Sequence, residues 1–385
     1  MGQKRKIRIL QINKLYYPYT GGVEYVVRQI AEGLCQSTDM KVLVCSEKSK
    51  TIQERVNGVL VTRAGSWMML GNLPISLKVF SEFRRQAKDR DILFFHMPFP
   101  IGDLVYFLSG IRDKKIIVWW HSDIVRQKKW MVLYRPLMEW FLRKADRILV
   151  ATKGHIEGSQ YLKAYQNKCR IIPFGLRKEI EEDSYQYFYR EKPQLEQEGN
   201  RKIQENKRVR FLFVGRLVYY KGCDVLIEAW RGLEQAELII VGNGSLKQKI
   251  RKYAEQEALS GQICFKENLS DRQVMEEYRK CDVLVLPSIA KSEAFGLVQI
   301  EAMAYGKPVI NTWLSSGVPY VSLHQITGLT VKPGNQYALH RAMEWMILHP
   351  KERKQMGEAA RKRVEEEFSM KKMIHQIREV CQELL

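Results

Sequence analysis

Cys281-Asp-Val-Leu-Val-Leu-Pro-Ser288 is followed, after four residues, by Glu293-Ala-Phe-Gly-Leu-Val-Gln-Ile-Glu301. The first stretch is apolar without alternation and reads as a strand buried on both faces. From Leu297 the pattern Leu-Val-Gln-Ile-Glu-Ala-Met-Ala reads as a helix. Glu293 then lies in the loop between strand and helix, and Glu301 sits about one turn inside the helix. A helix start of this kind offers free backbone N–H groups and the positive end of the dipole, here with a carboxylate on either side. An anionic ligand with hydroxyl-rich parts suits that combination, and sugar nucleotides are both. Two glutamates around a helix start also arise as a cap and a solvated face, so the spacing gains its meaning from its surroundings.

The same grammar runs along the whole chain. In the first half, short apolar runs at 7–12, 42–45, 59–61, 92–95, 116–120, 148–151 and 171–173 alternate with amphipathic segments such as 24–34 and 77–87. In the second half the runs are 211–214, 238–241, 263–265, 283–286 and 309–310. Continuous apolar runs separated by helical patterns predict parallel sheets covered on both faces, and 385 residues suffice for two such domains. The polar, charge-rich stretch 179–208 reads as the connection between an N-terminal domain, 1–178, and a C-terminal domain, 209–369. A final helix, 370–385, is expected to return to the first domain.

Bulk features exclude several classes. The window 92–111 is too polar to span a bilayer, interrupted by His96, Pro98, Pro100 and Asp103, and the charged start of the chain does not read as a signal peptide. Seven scattered cysteines, without a close metal-type pair, predict a reducing compartment and no structural zinc. Asp89-Arg-Asp91 precedes its strand and reads as an ordinary turn rather than a metal triplet. No Walker-type or dinucleotide fingerprint is present. The net charge of +20 is uneven: residues 1–180 carry 32 Lys and Arg against 15 Asp and Glu, a net of +17. One domain therefore faces something anionic, with nucleic acid and the cytoplasmic leaflet as the usual candidates. Arg126, Lys128, Lys129 and Trp130 open a basic and aromatic segment, 124–144, that reads equally as an interfacial helix on anionic lipid and as a core-facing helix with a basic outer face; Pro136 is expected to interrupt or bend it.

Upstream of the opening stretch stands Phe211-Leu-Phe-Val-Gly-Arg-Leu-Val-Tyr-Tyr-Lys-Gly222. Arg216 and Lys221 emerge at the carboxyl end of its strand, where open α/β sheets bind ligands. Together with Glu293 to Glu301, this motif resembles family 4 of the retaining glycosyltransferases. The order continues in Val241-Gly-Asn-Gly244, Leu286-Pro-Ser288, Glu301-Ala-Met-Ala304 and Gly306-Lys-Pro-Val309, and Tyr17-Pro-Tyr-Thr-Gly-Gly-Val-Glu24 is similar to the family's acceptor-side loop.

The resemblance implies an α/β protein of GT-B fold, with two doubly wound Rossmann-like domains facing across a cleft. It implies donor binding by Arg216, Lys221, Gly242, Asn243, Glu293, Ala294, Phe295, Gly296, Leu297 and Glu301. His121, Glu293, Arg216 and Lys221 would carry the chemistry, and Gly21 and Gly22 would form an acceptor-side or phosphate loop. His121, at the end of the strand 116–120, would orient the donor sugar and stabilise positive charge at its anomeric carbon. Fixed cations and a helix start can neutralise a departing diphosphate, so no metal and no cofactor beyond the nucleotide sugar is expected. The wording around His121 resembles bacterial mannosyltransferases of O-antigen and related polysaccharides. That implies a cytoplasmic enzyme peripheral to the cell membrane, GDP-mannose as donor, a polyprenyl-diphosphate-linked saccharide as acceptor and no nucleic acid. UDP-glucose and UDP-N-acetylglucosamine are alternative donors. A sugar-nucleotide epimerase of related fold and a non-enzymatic basic binder of membrane or nucleic acid are the rival functions.

Overall fold

The structure, a computed structural model, describes residues 5–19, 21–70, 73–124, 128–191 and 208–385, without the side chains of 69, 70, 73 and 128–130. It divides into two units, Met1–Phe174 with Lys371–Leu385, and Gly175–Met370.

Unit 1 holds strands β1 (Arg8–Ile12), β2 (Asp39–Cys45), β3 (Ile52–Val56), β4 (Val59–Ala64), β5 (Met68–Leu70), β6 (Leu73–Ile75), β7 (Ile92–Met97), β8 (Lys115–Trp120), β9 (Arg147–Val150) and β10 (Cys169–Ile171). Eight of them form one sheet in the order β10-β9-β8-β7-β1-β2-β4-β3, and β5 and β6 form a separate hairpin. Every pairing in the large sheet is parallel except β3 with β4. The buried strands follow the apolar runs; β7 is buried at all six positions. The strand β3, Ile-Gln-Glu-Arg-Val, is largely exposed and has no apolar run, because an antiparallel edge strand need not bury either face. Chain order moves outward from β1 through β2 to β4, then returns to place β7 on the other side of β1. The carboxyl ends of β1 and β7 therefore flank the topological switch point, where α/β sheets open a crevice for ligands.

Unit 2 repeats the plan with β11 (Val209–Val214), β12 (Ala236–Val241), β13 (Ile263–Lys266), β14 (Val283–Val285), β15 (Val309–Thr312) and β16 (Gly328–Val331). Its six-stranded sheet is parallel, in the order β13-β12-β11-β14-β15-β16, so its switch point lies between β11 and β14. Helices cover both sheets. That at Asp271–Lys280 starts on a capping box, with Ser270 accepting from the Gln273 amide and the Gln273 side chain reaching back to the Ser270 amide.

Two expectations change. The stretch 179–208 is not a plain connection: Lys178–Gln186 is a helix, and Asp183 on it pairs with Arg279 at 2.6 Å and accepts from the Tyr305 hydroxyl. Residues 179–191 thus belong to the packing of unit 2, where Asp183 and Glu191 share Arg279 while Glu179 and Glu182 stay exposed. Unit 2 begins at Gly175 rather than after 178, and residues 192–207 lie outside the described residues. The helix Lys128–Lys144 runs through Pro136 without ending there. The helix Met370–Glu383 lies within unit 1 from Lys371 on, and Ile374 packs so close to Gly33 that no Cβ fits there.

Candidate active site

In unit 2 the site is built at the switch point. After β11 the chain turns through Gly215, and Arg216 emerges exposed, its Nη2 donating to the Tyr220 hydroxyl at 3.1 Å. A short 3-10 turn, Tyr219–Lys221, folds Lys221 inward. Across the switch point, the loop after β14 brings Glu293 to meet it: Lys221 Nζ lies 2.6 Å from Glu293 Oε2, which also accepts from Ser288 Oγ at 3.1 Å. Both charges are more than 90% buried. Burial pulls the Lys221 ammonium down, but the Glu293 carboxylate outweighs it and leaves the pKa raised. Two candidates 72 residues apart are therefore one ion pair.

Glu301 occupies the fifth position of the helix Leu297–Ala304 and is also buried. Its Oε2 accepts from the Tyr278 hydroxyl at 2.7 Å, and its Oε1 lies 2.9 Å from Arg177 Nε. Burial, then the nearby Glu301 charge, pushes the Tyr278 phenol far up, so Tyr278 stays a donor. Each carboxylate oxygen keeps lone-pair capacity for a further donor. Gly296 caps that helix at φ +74, and a Cβ there would sit 2.5 Å from the Leu286 side chain, so the loop requires glycine. The Gln299 amide braces the same loop, donating to Phe295 O at 2.9 Å while accepting from Asn311. The amides that open the helix at Leu297 have no partners inside it. Phe295 turns its ring into the core, edge-on to Phe368.

Gly242, at φ +146, lets the loop after β12 press against the Gly215 carbonyl; a side chain there would collide with it. Asn243 uses its side chain locally, accepting from the Gly244 amide at 2.8 Å.

Unit 1 presents a different construction at its own switch point. Gln11 on β1, His96 on β7 and His121 just after β8 form a chain of hydrogen bonds: Gln11 Nε2 lies 2.7 Å from His96 Nε2, and His96 Nδ1 lies 2.9 Å from His121 Nε2. The ring planes run nearly parallel to those of Phe94, Trp119 and Phe174, with His96 and His121 edge to edge, centroids 5.2 Å apart and planes 21° from parallel. Burial holds both imidazoles neutral, driving His96 well down and His121 down to about 3. His155, bonded to Thr152 Oγ1, is lowered by burial to about 4. Gly21 and Gly22 open the helix Gly22–Leu34, where the Glu24 carboxylate lies so close to Gly21 that a Cβ would strike it. A carboxylate therefore already stands at that helix start.

Two family models match the chain: the one described as Glycosyltransferase Family 4 over residues 20–178, and the one described as Glycosyl transferases group 1 over 196–363. D-rhamnosyltransferase WbpZ of Pseudomonas aeruginosa is 35% identical over 94% of this chain and 92% of its own length. The chain is a family 4 glycosyltransferase. The O-antigen chain mannosyltransferase C of Escherichia coli is 32% identical to this glycosyltransferase over 96% of each chain. Among solved structures, sucrose-phosphate synthase from Thermosynechococcus elongatus superposes with a TM-score of 0.77, 20% identity, and 98% and 99% coverage, which shows the GT-B fold.

The glycosyltransferase thus brings Lys221 and Glu293 together directly, links Arg216 to Lys221 through Tyr220, whose ring centroid lies 5.8 Å from Lys221 Nζ, and leaves Glu301 in a separate pair. Sequence reasoning missed Arg177, Tyr220, Tyr278, Ser288, Gln11 and His96. Tyr220 and Ser288 stand inside the motifs quoted above, and His96 carried a signal as the one ionisable residue inside an otherwise apolar strand. Arg126 lies outside the described residues, as do the side chains of Lys128, Lys129 and Trp130. Asp89 and Asp91 are paired with Arg90 and Arg8, at the amino end of β7. Among the described residues no cluster of three or more His, Cys, Asp or Glu is arranged to hold a metal ion.

Proposed function

We propose that this glycosyltransferase moves mannose from GDP-mannose to a saccharide on a polyprenyl diphosphate or a related cell-surface glycan. In this reading it retains the anomeric configuration and uses no metal. The observation that carries the donor is the 32% identity, over 96% of the chain, to a protein named as an O-antigen chain mannosyltransferase. The relative named as a D-rhamnosyltransferase supports a second reading. D-Rhamnose is mannose without the C6 hydroxyl, so the same nucleotide carrying that sugar belongs beside GDP-mannose.

In this reading Arg216, exposed at the carboxyl end of β11, grips diphosphate oxygens, and Lys221 adds a point charge held in place by Glu293. With the helix start at Ala294, Phe295, Gly296 and Leu297, these groups neutralise the departing diphosphate in place of a metal. Glu301 takes the ribose hydroxyls on lone pairs that Tyr278 and Arg177 leave open, while Gly242 and Asn243 shape the adjoining loop. Glu293 stands near the transferred sugar, and His121 hydrogen-bonds a sugar oxygen. Gly21 and Gly22 serve the acceptor.

No helix among the described residues is long and apolar enough to cross a membrane. Peripheral contact with anionic lipid is supported by Val132 and Leu133, 80% and 79% exposed, by the exposed Leu104, Phe107 and Leu108 on the helix packed against theirs, and by the basic first half. Replacing Val132 and Leu133 together with serine is expected to lower binding to phosphatidylglycerol-containing vesicles at least tenfold, each side chain contributing about 1.5–3 kcal/mol when buried. Undiminished binding would remove that surface from the proposal.

The deciding test is a donor panel by mass spectrometry, with polyprenyl-diphosphate-linked saccharides and EDTA. Transfer from GDP-mannose is expected, with turnover falling at least 100-fold in Arg216→Ala and Glu301→Gln. Transfer only from a UDP-sugar, or only when a divalent ion is restored, would overturn the corresponding part.

A further inference from the structure

The hydrogen bonds at the unit 1 switch point have a direction, and Val27 sets it. Gln11 Nε2 lies 3.0 Å from the Val27 carbonyl as well as 2.7 Å from His96 Nε2. A carbonyl oxygen only accepts, so the amide nitrogen must face it; the flipped amide would oppose two oxygens in a buried place. That orientation leaves Gln11 Oε1 buried without a partner, which the two bonds to the nitrogen offset. Gln11 then donates to His96 Nε2, making it the acceptor nitrogen and placing the His96 proton on Nδ1. His96 Nδ1–H donates in turn to His121 Nε2, 2.9 Å away, which places the His121 proton on Nδ1. His121 retains 5% exposure against 1% for His96, and its Nδ1 is not among the buried polar atoms lacking a partner.

We infer that Gln11 and His96 are positioning residues whose one-way chain of hydrogen bonds fixes His121 as a neutral Nδ1–H donor, presented at the switch point to a neutral oxygen ligand. The ligand class follows from the chemistry. An anion would gain most from an imidazolium, whereas an uncharged N–H suits a hydroxyl or ether oxygen. That its bearer is a sugar rests on the proposed function; the tautomer does not. The nearly parallel rings of Phe94, Trp119 and Phe174 keep both imidazoles coplanar enough for the chain to hold.

Histidine-selective ¹⁵N labelling of the full chain, with long-range proton correlation at pH 7, reads the tautomers of its seven histidines directly. The wild-type protein should show His96 and His121 each as the Nδ1–H form. His96→Leu should return His121 to a tautomer mixture and lower kcat about 10- to 100-fold, the range typical of lost ligand-orienting partners. His96→Asn places an amide nitrogen near the position of Nδ1 and should recover the His121 tautomer and most of the rate. Finding His121 as Nε2–H in the wild-type protein would overturn the inference, whatever the variants do. Equal loss in the Asn and Leu variants, with His121 unchanged in both, would also overturn it. The spectra need no donor, so an unproductive donor panel would count against the sugar reading alone.

Discussion

The two units place their functional groups at the same topological position and bridge it with opposite chemistry. In unit 2 the strands flanking the switch point are joined by a buried ion pair, Lys221 with Glu293, and a second pair, Arg177 with Glu301, stands on the adjoining helix. In unit 1 the bridge is Gln11, His96 and His121, all neutral, set among nearly parallel aromatic rings. In the proposed reading the charged bridge keeps Lys221 as a fixed cation that adds its field to the binding of an anion. The neutral bridge carries no charge and serves instead to aim one N–H. In that reading the first absorbs the charge of a leaving diphosphate and the second holds uncharged hydroxyls without competing for it.

The largest effect expected from breaking the contrast lies in the charged bridge. Lys221→Met leaves Glu293 buried opposite an apolar chain, with only Ser288 to bond it. Loss of one member of a buried pair costs about 3–5 kcal/mol. Hydrogen exchange resolved on peptides from each unit should show unit 2 opening at lower denaturant, with unit 1 unaltered. Adding Glu293→Gln should recover a large part of that loss without recovering transfer. A cost below about 1 kcal/mol, the value of an exposed pair, would mean that water reaches the bridge and that Lys221 is not held as described.

Acid separates the units next. Unfolded histidines take up protons near pH 6.5, whereas in folded unit 1 burial holds His96, His121 and His155 neutral, His121 to about 3 and His155 to about 4. Below 6.5 the unfolded chain therefore binds more protons, so this contribution is complete above 6.5 and declines as pH falls toward 4. Asp103 works in the other sense: burial raises its carboxyl, partly countered by the Tyr134 hydroxyl, so its protonation favours the folded unit as pH falls. Three groups against one leave a net loss. In unit 2 the raised Lys221 ammonium keeps its contribution until pH rises through its folded value, far from this window. Unit 1 peptides should thus lose protection between pH 6.5 and 4.5 before those of unit 2. Simultaneous loss would show that the histidines are not buried neutral.

What the sequence disclosed follows the same division. Apolar runs without alternation located most strands, since strands covered on both faces must be apolar throughout. The places of Arg216, Lys221 and Glu293 beyond strand ends, and of Glu301 one turn into a helix, were legible because they sit in short contiguous motifs. Their partners were not. Arg177 is 124 positions from Glu301, and Gln11 is 85 from His96; the first pair meets because the helix Lys178–Gln186 packs on the helix Leu297–Ala304, the second because the strand order returns β7 to β1. Periodicity in one sequence carries no information about that order. The polar stretch at 179–191 misled for a related reason: Asp183 is paired by Arg279, 96 positions away, and reads as solvated until that partner is known.

The smallest expected effect tests whether sign of charge, rather than polarity alone, distinguishes the unit 2 site. Asn243 lies in the loop after β12, and its Oδ1 accepts from the Gly244 amide. Asn243→Ala removes that bond and should cost about 1 kcal/mol, the net value of one hydrogen bond. Asn243→Asp keeps the acceptor, so the loop should be as stable as in the parent protein. If the loop borders the diphosphate, the added negative charge opposes donor binding, and donor KM should rise several-fold in the Asp variant while thermal stability stays level. The Ala variant should show the reverse, a lower midpoint and a donor KM within about twofold, since a lost turn bond worth about 1 kcal/mol alters stability without adding charge. Equal donor KM in the Asp variant and the parent would place the diphosphate away from this loop and confine Asn243 to its turn. Because neither substitution touches the Lys221–Glu293 bridge, a rise in KM seen only with the Asp variant reports on the field at the site and not on its architecture.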